Sequence, residues 1–215
     1  MRKLFGVSIV SGYPVTSRMT QIRFKFDPEK LVQALTFFAA RGVADLDTLK
    51  AVKLLYFADR QHLLRYGRPI LGDDYCCMKN GPIPTNALSQ IQDALSSSPT
   101  GDHDALFDEY LGVDRAHQYP RFILKKEPDL DVFSATDIEV LGEVLATYGS
   151  KSAWALRDLT HLDECVKRAD EERLARGVGS VRIPFELFFL GTDSKLLLLV
   201  EADQENRDFA ESLSW

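Results

Sequence analysis

The chain has 215 residues, 45% of them hydrophobic and 27% charged, with a formal net charge of −6. That length suits one domain with a full core, and that composition excludes wholesale disorder. The acidic balance argues against broad phosphate-backbone binding, and no apolar run approaches the roughly 18 residues of a spanning helix.

Residues 1–26 read as an N-terminal extension or arm. Its first 20 residues show no clean period, and they lack the long apolar region and cleavage site of a secretory signal. Arg2, Lys3, Arg18, Arg23 and Lys25 make the arm basic. Ile22, Phe24 and Phe26 alternate with the last two of these, the pattern of a short half-buried strand or an extended arm that adds to a partner.

Asp27-Pro28-Glu29 is a helix start, with Asp as cap and Pro at the first helical position. Leu31, Leu35, Phe38 and Ala39 carry that helix to about Arg41, and Gly42 stops it. Asp45 or Asp47 caps a second helix, Thr48 to Tyr66, which Gly67 ends. Plotted at about 100° per residue, Leu49, Val52, Leu55, Tyr56 and Leu63 form a broad apolar stripe. Asp59, His62 and Tyr66 fall inside it. An ionised Asp there is costly unless it is paired or bonded to backbone donors. Asp59 is therefore expected to tie down a neighbouring loop, with His62, Arg65 or Arg68 as partner. The sharper alternative is that Asp59 and His62 line a groove and serve a hydrolase or transferase. Lys50, Lys53, Arg60 and Gln61 fill a polar wedge into which Phe57 and Leu64 project. Lys53, Phe57, Arg60 and Leu64 are thus predicted to face outward as a partner surface, together with Phe24 and Phe26.

Residues 67–73 hold two glycines and a proline and predict a fixed turn. Residues 75–79 read as a strand, and Asn80-Gly81 suits a tight reversal. Pro82 and Pro84 remove two backbone donors, so this segment cannot be a central strand. Thr85 or Asn86 is predicted to cap a third helix to about Leu95, and residues 96–102 form a loop. Residues 107–113 and 121–125 predict two strands that join residues 75–79 in one small sheet. The acids at 127, 129 and 131 read as a solvated turn. Ser134-Ala135-Thr136-Asp137 is a capping box with Asp in the last place, opening a helix that ends at Gly149. Ser150 or Ser152 starts the next, with His161 near its end. A charged helix follows to Gly177, then an apolar segment from Pro184 that is helix or strand. Residues 196–213 read as a last helix. The expectation is a mainly α, single α+β domain of six to seven helices with a small antiparallel sheet or hairpin.

Chemistry is sparse. His62, His103, His117 and His161 show no metal-ligand spacing with one another or with Cys76, Cys77 and Cys165. An odd cysteine count without framework spacing suggests reduced thiols in a cytoplasm. Neither phosphate-loop, dinucleotide nor nucleophile-elbow motifs occur. No cofactor, metal or catalytic residue is assigned.

The stretch KLLYFADRQHLLRYGRPILGDDYCCMKNGPIP, residues 53–84, resembles the signature of the SocA-like antitoxins, the Panacea domain. Lys53, Leu54 and Tyr56 match the family's helix pattern. Gly72, Asp73, Tyr75, Gly81, Pro82 and Pro84 match its turn, with Cys77 where the family often has Ala and Ile83 where it often has Val. Residues 134–161 resemble its second block, a helix ending in Tyr-Gly and then Leu159-Thr160-His161. Val166 stands where the family often has tryptophan. The resemblance covers about residues 28–175. It divides the chain into the arm, a SocA-like domain at 27–177 and a C-terminal extension at 178–215. It implies a cytoplasmic bacterial or phage-associated antitoxin that binds a toxin encoded beside it. One type in the family is an adaptor that delivers its toxin to a protease. Lys53, Tyr56, Asp59, His62, Arg68, Gly72, Asp73, Tyr75, Gly81, Pro82, Pro84 and His161 then form the shared scaffold. Many antitoxins repress their own operons, so a DNA-binding autoregulator is a further alternative. Membranes are not expected partners, and the oligomeric state is open.

Overall fold

The computed structural model describes residues 21–96, 105–192 and 194–213. The expectations for residues 1–20, for most of the 96–102 loop and for His103 lie outside them. The described chain is mainly helical, with two small antiparallel sheets. Its helices are α1 (Pro28–Ala40), α2 (Thr48–Tyr66), α3 (Thr85–Leu95), α4 (Ala105–Tyr110), α5 (Ala135–Tyr148), α6 (Ala153–Thr160), α7 (Glu164–Arg176) and α8 (Ser194–Ser212). The strands are β1 (Tyr75–Met78), β2 (Gly81–Pro84), β3 (Leu111–Asp114), β4 (Arg121–Leu124) and β5 (Ser180–Ile183). Short 3-10 turns sit at Leu130–Val132 and Phe185–Phe189.

α2 is the hub. It carries a broad apolar stripe, and most of its surface, polar wedge included, is covered by α3, α5, α6 and the β1–β2 hairpin. Asp47 caps it by accepting from the Lys50 amide, and Gly67 ends it in the left-handed region at φ 75°. The other boundaries follow local chemistry as well. Asp27 accepts from the Lys30 amide at the start of α1, and Ser134 with Asp137 closes the full capping box of α5.

Three features differ from the sequence expectation. Residues 105–110 are helical and only 111–114 extend. Phe107 and Tyr110 are both buried, and a spacing of three places both on one helical face. β3 then pairs with β4 alone, Leu111 opposite Leu124. The strand that joins β1 is β5, which sequence reading missed: Tyr75 lies between Pro84 on one side and Ile183 on the other. The order β2-β1-β5 leaves the proline-containing strand at an edge, as its missing donors require.

The third difference concerns only the strand alternative for residues 22–26, which does not form: they pair with no strand. Side chains from the C-terminal elements satisfy their amides instead. The Ile22 amide donates to Glu186 Oε1 at 2.8 Å and the Arg23 amide to Gln204 Oε1 at 3.0 Å. Phe185, Phe188 and Phe189 of the second 3-10 turn enter the same core as α1 and α2.

Candidate functional site

The signature residues fold into two closed devices. In the first, Asp59 holds the turn that follows α2. Its Oδ1 accepts from the amides of Ile70 (2.9 Å) and Leu71 (2.8 Å), and its Oδ2 accepts from the Tyr75 hydroxyl (3.0 Å). Burial pushes its carboxyl up to about 7, against the three donors. Asp59 thus braces a loop, but its partners are backbone amides and Tyr75, not His62, Arg65 or Arg68. The turn lays its own donors over the carboxylate before any cation reaches it.

Those cations gather on α5. Asp137 Oδ1 lies 3.0 Å from His62 Nε2 and 2.9 Å from Arg68 Nη2, and Lys30 Nζ donates to Oδ2 at 3.0 Å. His62 Nδ1 faces the Arg68 carbonyl at 2.6 Å, so the ring meets acceptors at both nitrogens. Burial opposes the charge on Asp137. Hydrogen bonds from His62, Lys30 and the Ser134 amide, with the Arg68 charge, nevertheless hold its carboxyl well below the usual range. Arg65 pairs with Glu139 and Glu143 instead. Tyr66, expected in the apolar stripe, is exposed and donates to Glu139. Asp59 and His62 are both sealed in the core. They offer no open pocket to a substrate, and the hydrolase or transferase reading loses its site.

The second device joins the two signature blocks. Lys53 is fully buried, and its Nζ donates to the Pro82 carbonyl at 2.7 Å. Burial is the main force that pushes its amine down to about 7. Gly81 sits at φ +84°, where a Cβ would stand 2.8 Å from Thr160 Oγ1 and 3.3 Å from both His161 Nε2 and Lys53 Nζ. The hairpin therefore seats against Thr160-His161, and only glycine fits the contact. Gly72 is similar: at φ +71°, its Cβ would meet the Lys25 carbonyl at 2.4 Å. Asp73 caps α3 from outside the helix, accepting from the amides of Asn86 (3.1 Å) and Ala87 (2.7 Å). Thr85 and Asn86 do not cap α3, because Pro84 occupies the cap position and has no side-chain acceptor. Tyr56 donates to Asp163 Oδ2 at 2.8 Å, beside Cys165.

The predicted outward face of α2 does not exist. Lys53 is buried, Phe57 is only 8% exposed and stacks on Tyr148 at 4.1 Å, and Leu64 packs against the core. Arg60 is half-buried beside Asp163. Phe24 and Phe26 are also half-buried, Phe24 edge-on to Phe185 at 4.9 Å. A helix plot shows which residues share a face. It does not show how many neighbours cover that face, and here α5 and α6 cover the polar wedge too. Lys50 survives burial by donating to the Ala44 carbonyl at 2.7 Å, and half-buried Gln61 bonds Glu143.

The open surface lies elsewhere. A groove of about 890 Å³ runs between the turn after α1, the tip of the β1–β2 hairpin, the β3–β4 loop and the α5–α6 turn. Met78, Lys79, Tyr119, Lys151 and Trp154 line it, over a floor that includes Ile83 and Leu88. Sequence reading missed it because it assembles from four separate turns. Its one visible signal was Trp154 and Tyr119, large aromatics placed beside turn residues. Among the described residues no helix is long and apolar enough to cross a membrane, and no group of three His, Cys, Asp or Glu side chains could hold a metal ion.

Comparison with known proteins returns one finding. The family model described as antitoxin SocA-like, Panacea domain, matches residues 52–165. No curated protein and no solved structure matches the chain. The match spans more than half of the molecule and takes in Asp59, His62, the β1–β2 hairpin and Thr160-His161, the residues just described as two interlocking devices. The chain belongs to the SocA-like antitoxin, Panacea-domain family.

Proposed function

We propose that this chain is the antitoxin of a toxin–antitoxin pair, acting in the cytoplasm by binding a toxin protein encoded by an adjacent gene. The family match carries the reading. The fate of the polar signature residues supports it: Asp59, His62 and Lys53 are consumed in bracing the fold, and none is presented to a substrate. A scaffold whose charged residues lock a turn and a hairpin provides a rigid surface, which suits binding more than chemistry.

Co-expression tests this. The adjacent gene product alone should arrest growth, and this chain should restore it. A harmless neighbour, or a toxin that still kills in the chain's presence, overturns the reading. Direct blocking and delivery to a cellular protease separate by following toxin abundance. A stable toxin in a neutralised cell indicates blocking, and a disappearing one indicates an adaptor.

A further inference from the structure

We propose that the toxin docks in the groove beneath Trp154, and that the groove receives an extended, acidic segment of it bearing an apolar or aromatic side chain. This rests on the antitoxin reading and adds the surface and the ligand chemistry. Trp154 is 51% exposed, Tyr119 56% and Met78 39%, and all three line the one groove. Single exposed apolar residues are ordinary, but three around one concavity mark a binding surface. Trp and Tyr are also the residue types that dominate binding energy at interfaces. The Arg157 guanidinium lies 5.0 Å from the centre of the Trp154 ring and steadies the indole.

The charges choose the ligand. Arg121 is already paired with Asp45 and Asp114, His117 lies 3.3 Å from Asp114, and Lys50 is bonded to a carbonyl. Lys79 and Lys151 have no acidic partner among the described residues. Most other cations among the described residues are paired with acids or backbone carbonyls, so two uncommitted lysines on one groove call for carboxylates from outside. A nucleic-acid strand fits less well, because two free cations are few for a phosphate chain. The groove is also firmly built. Lys79 and Asn80 form the tip of the hairpin that Lys53 and Thr160 hold from below.

The groove can be watched directly. The chain has two tryptophans, so Trp215→Phe leaves Trp154 as the sole indole reporter. Adding the purified adjacent gene product should shift Trp154 emission to the blue and shield it from acrylamide. Lys79→Glu with Lys151→Glu, and separately Trp154→Ala, should each weaken that binding at least tenfold and abolish growth rescue, with thermal melting unchanged. Trp154→Phe should retain most of the affinity, and Leu198→Asp on the distant face of α8 should bind normally. If the wild type rescues growth and the groove variants rescue equally well, this inference falls and the antitoxin reading stands. If the wild type itself does not rescue, both fall. A single-stranded DNA oligonucleotide that shields Trp154 where the protein does not would also overturn it.

Discussion

Asp59 shows how one buried carboxylate organises a turn. Replacing it by Ala strands two amides and a phenol without acceptors. At about 1–3 kcal/mol for each unsatisfied group, partly relaxed, Asp59→Ala should lose about 3–5 kcal/mol in urea unfolding. Asp59→Asn keeps an oxygen for the amides and should lose less. The wild type also differs from both variants in its pH dependence. Burial raises the folded carboxyl from 3.8 to about 7, so the folded state holds this proton longer than the unfolded state does. Its contribution is full below pH 3.8 and is lost as pH rises through 7. Wild-type stability should therefore fall between about pH 5 and 8 by an increment that Asp59→Asn lacks, as read from urea midpoints at both values. Lys53, held down at about 7, acts in the opposite sense above that pH and restores stability toward 10.5. Gly81 makes a steric demand instead. Gly81→Ala combines a left-handed backbone with a 2.8 Å approach to Thr160, and a loss of about 2–4 kcal/mol is expected by calorimetric melting.

Elements here are held by groups outside themselves. α3 starts after a proline, and Asp73, 13 residues before Asn86, supplies its cap. Asp73→Ala should cost about 2 kcal/mol and speed hydrogen exchange at the Asn86 and Ala87 amides more than elsewhere, because both lose their acceptor. Exchange spread evenly over the molecule would contradict a local cap. α5 shows the contrasting case. Its capping box is written in four consecutive residues, so the sequence alone announces where the helix begins. α1, α2, α5 and α6, whose starts could be read, each carry a cap within their own sequence, whereas α7, whose start near Asp163 could also be read, has no side-chain cap. β5 could not be read, because four residues of alternation are too few to distinguish a strand from a loop.

The whole molecule depends on segments that flank the family region. β5 covers the second edge of β1, and Phe188 packs on Tyr56 and Tyr75 with Phe185 and Phe189 in the same core. Glu186 and Gln204 hold the extended residues 22–23. A chain ending at Gly177 loses three buried aromatics, each worth about 3–5 kcal/mol, and exposes a strand edge. It should fail to unfold cooperatively and should aggregate when expressed. A soluble, cooperatively melting truncation would show that residues 178–213 are an accessory.

What the sequence determined by itself was local and chemical. The caps of α1, α2, α5 and α6, the glycine stops, the edge position of the proline strand and the family signature are all set by neighbouring residues. Asp59 was legible as a brace because a charge in an apolar stripe must find donors nearby. Tertiary structure decided the rest. It supplied the donors to Asp59, gathered His62, Arg68 and Lys30 on Asp137, and gave β1 its partner β5. It also reversed the face expected to bind. Lys53, Phe57, Arg60 and Leu64 lie on a helix that neighbours from distant sequence largely cover. The open groove forms where four turns meet. Burial is a property of what packs around a residue, and no single element encodes its own surroundings.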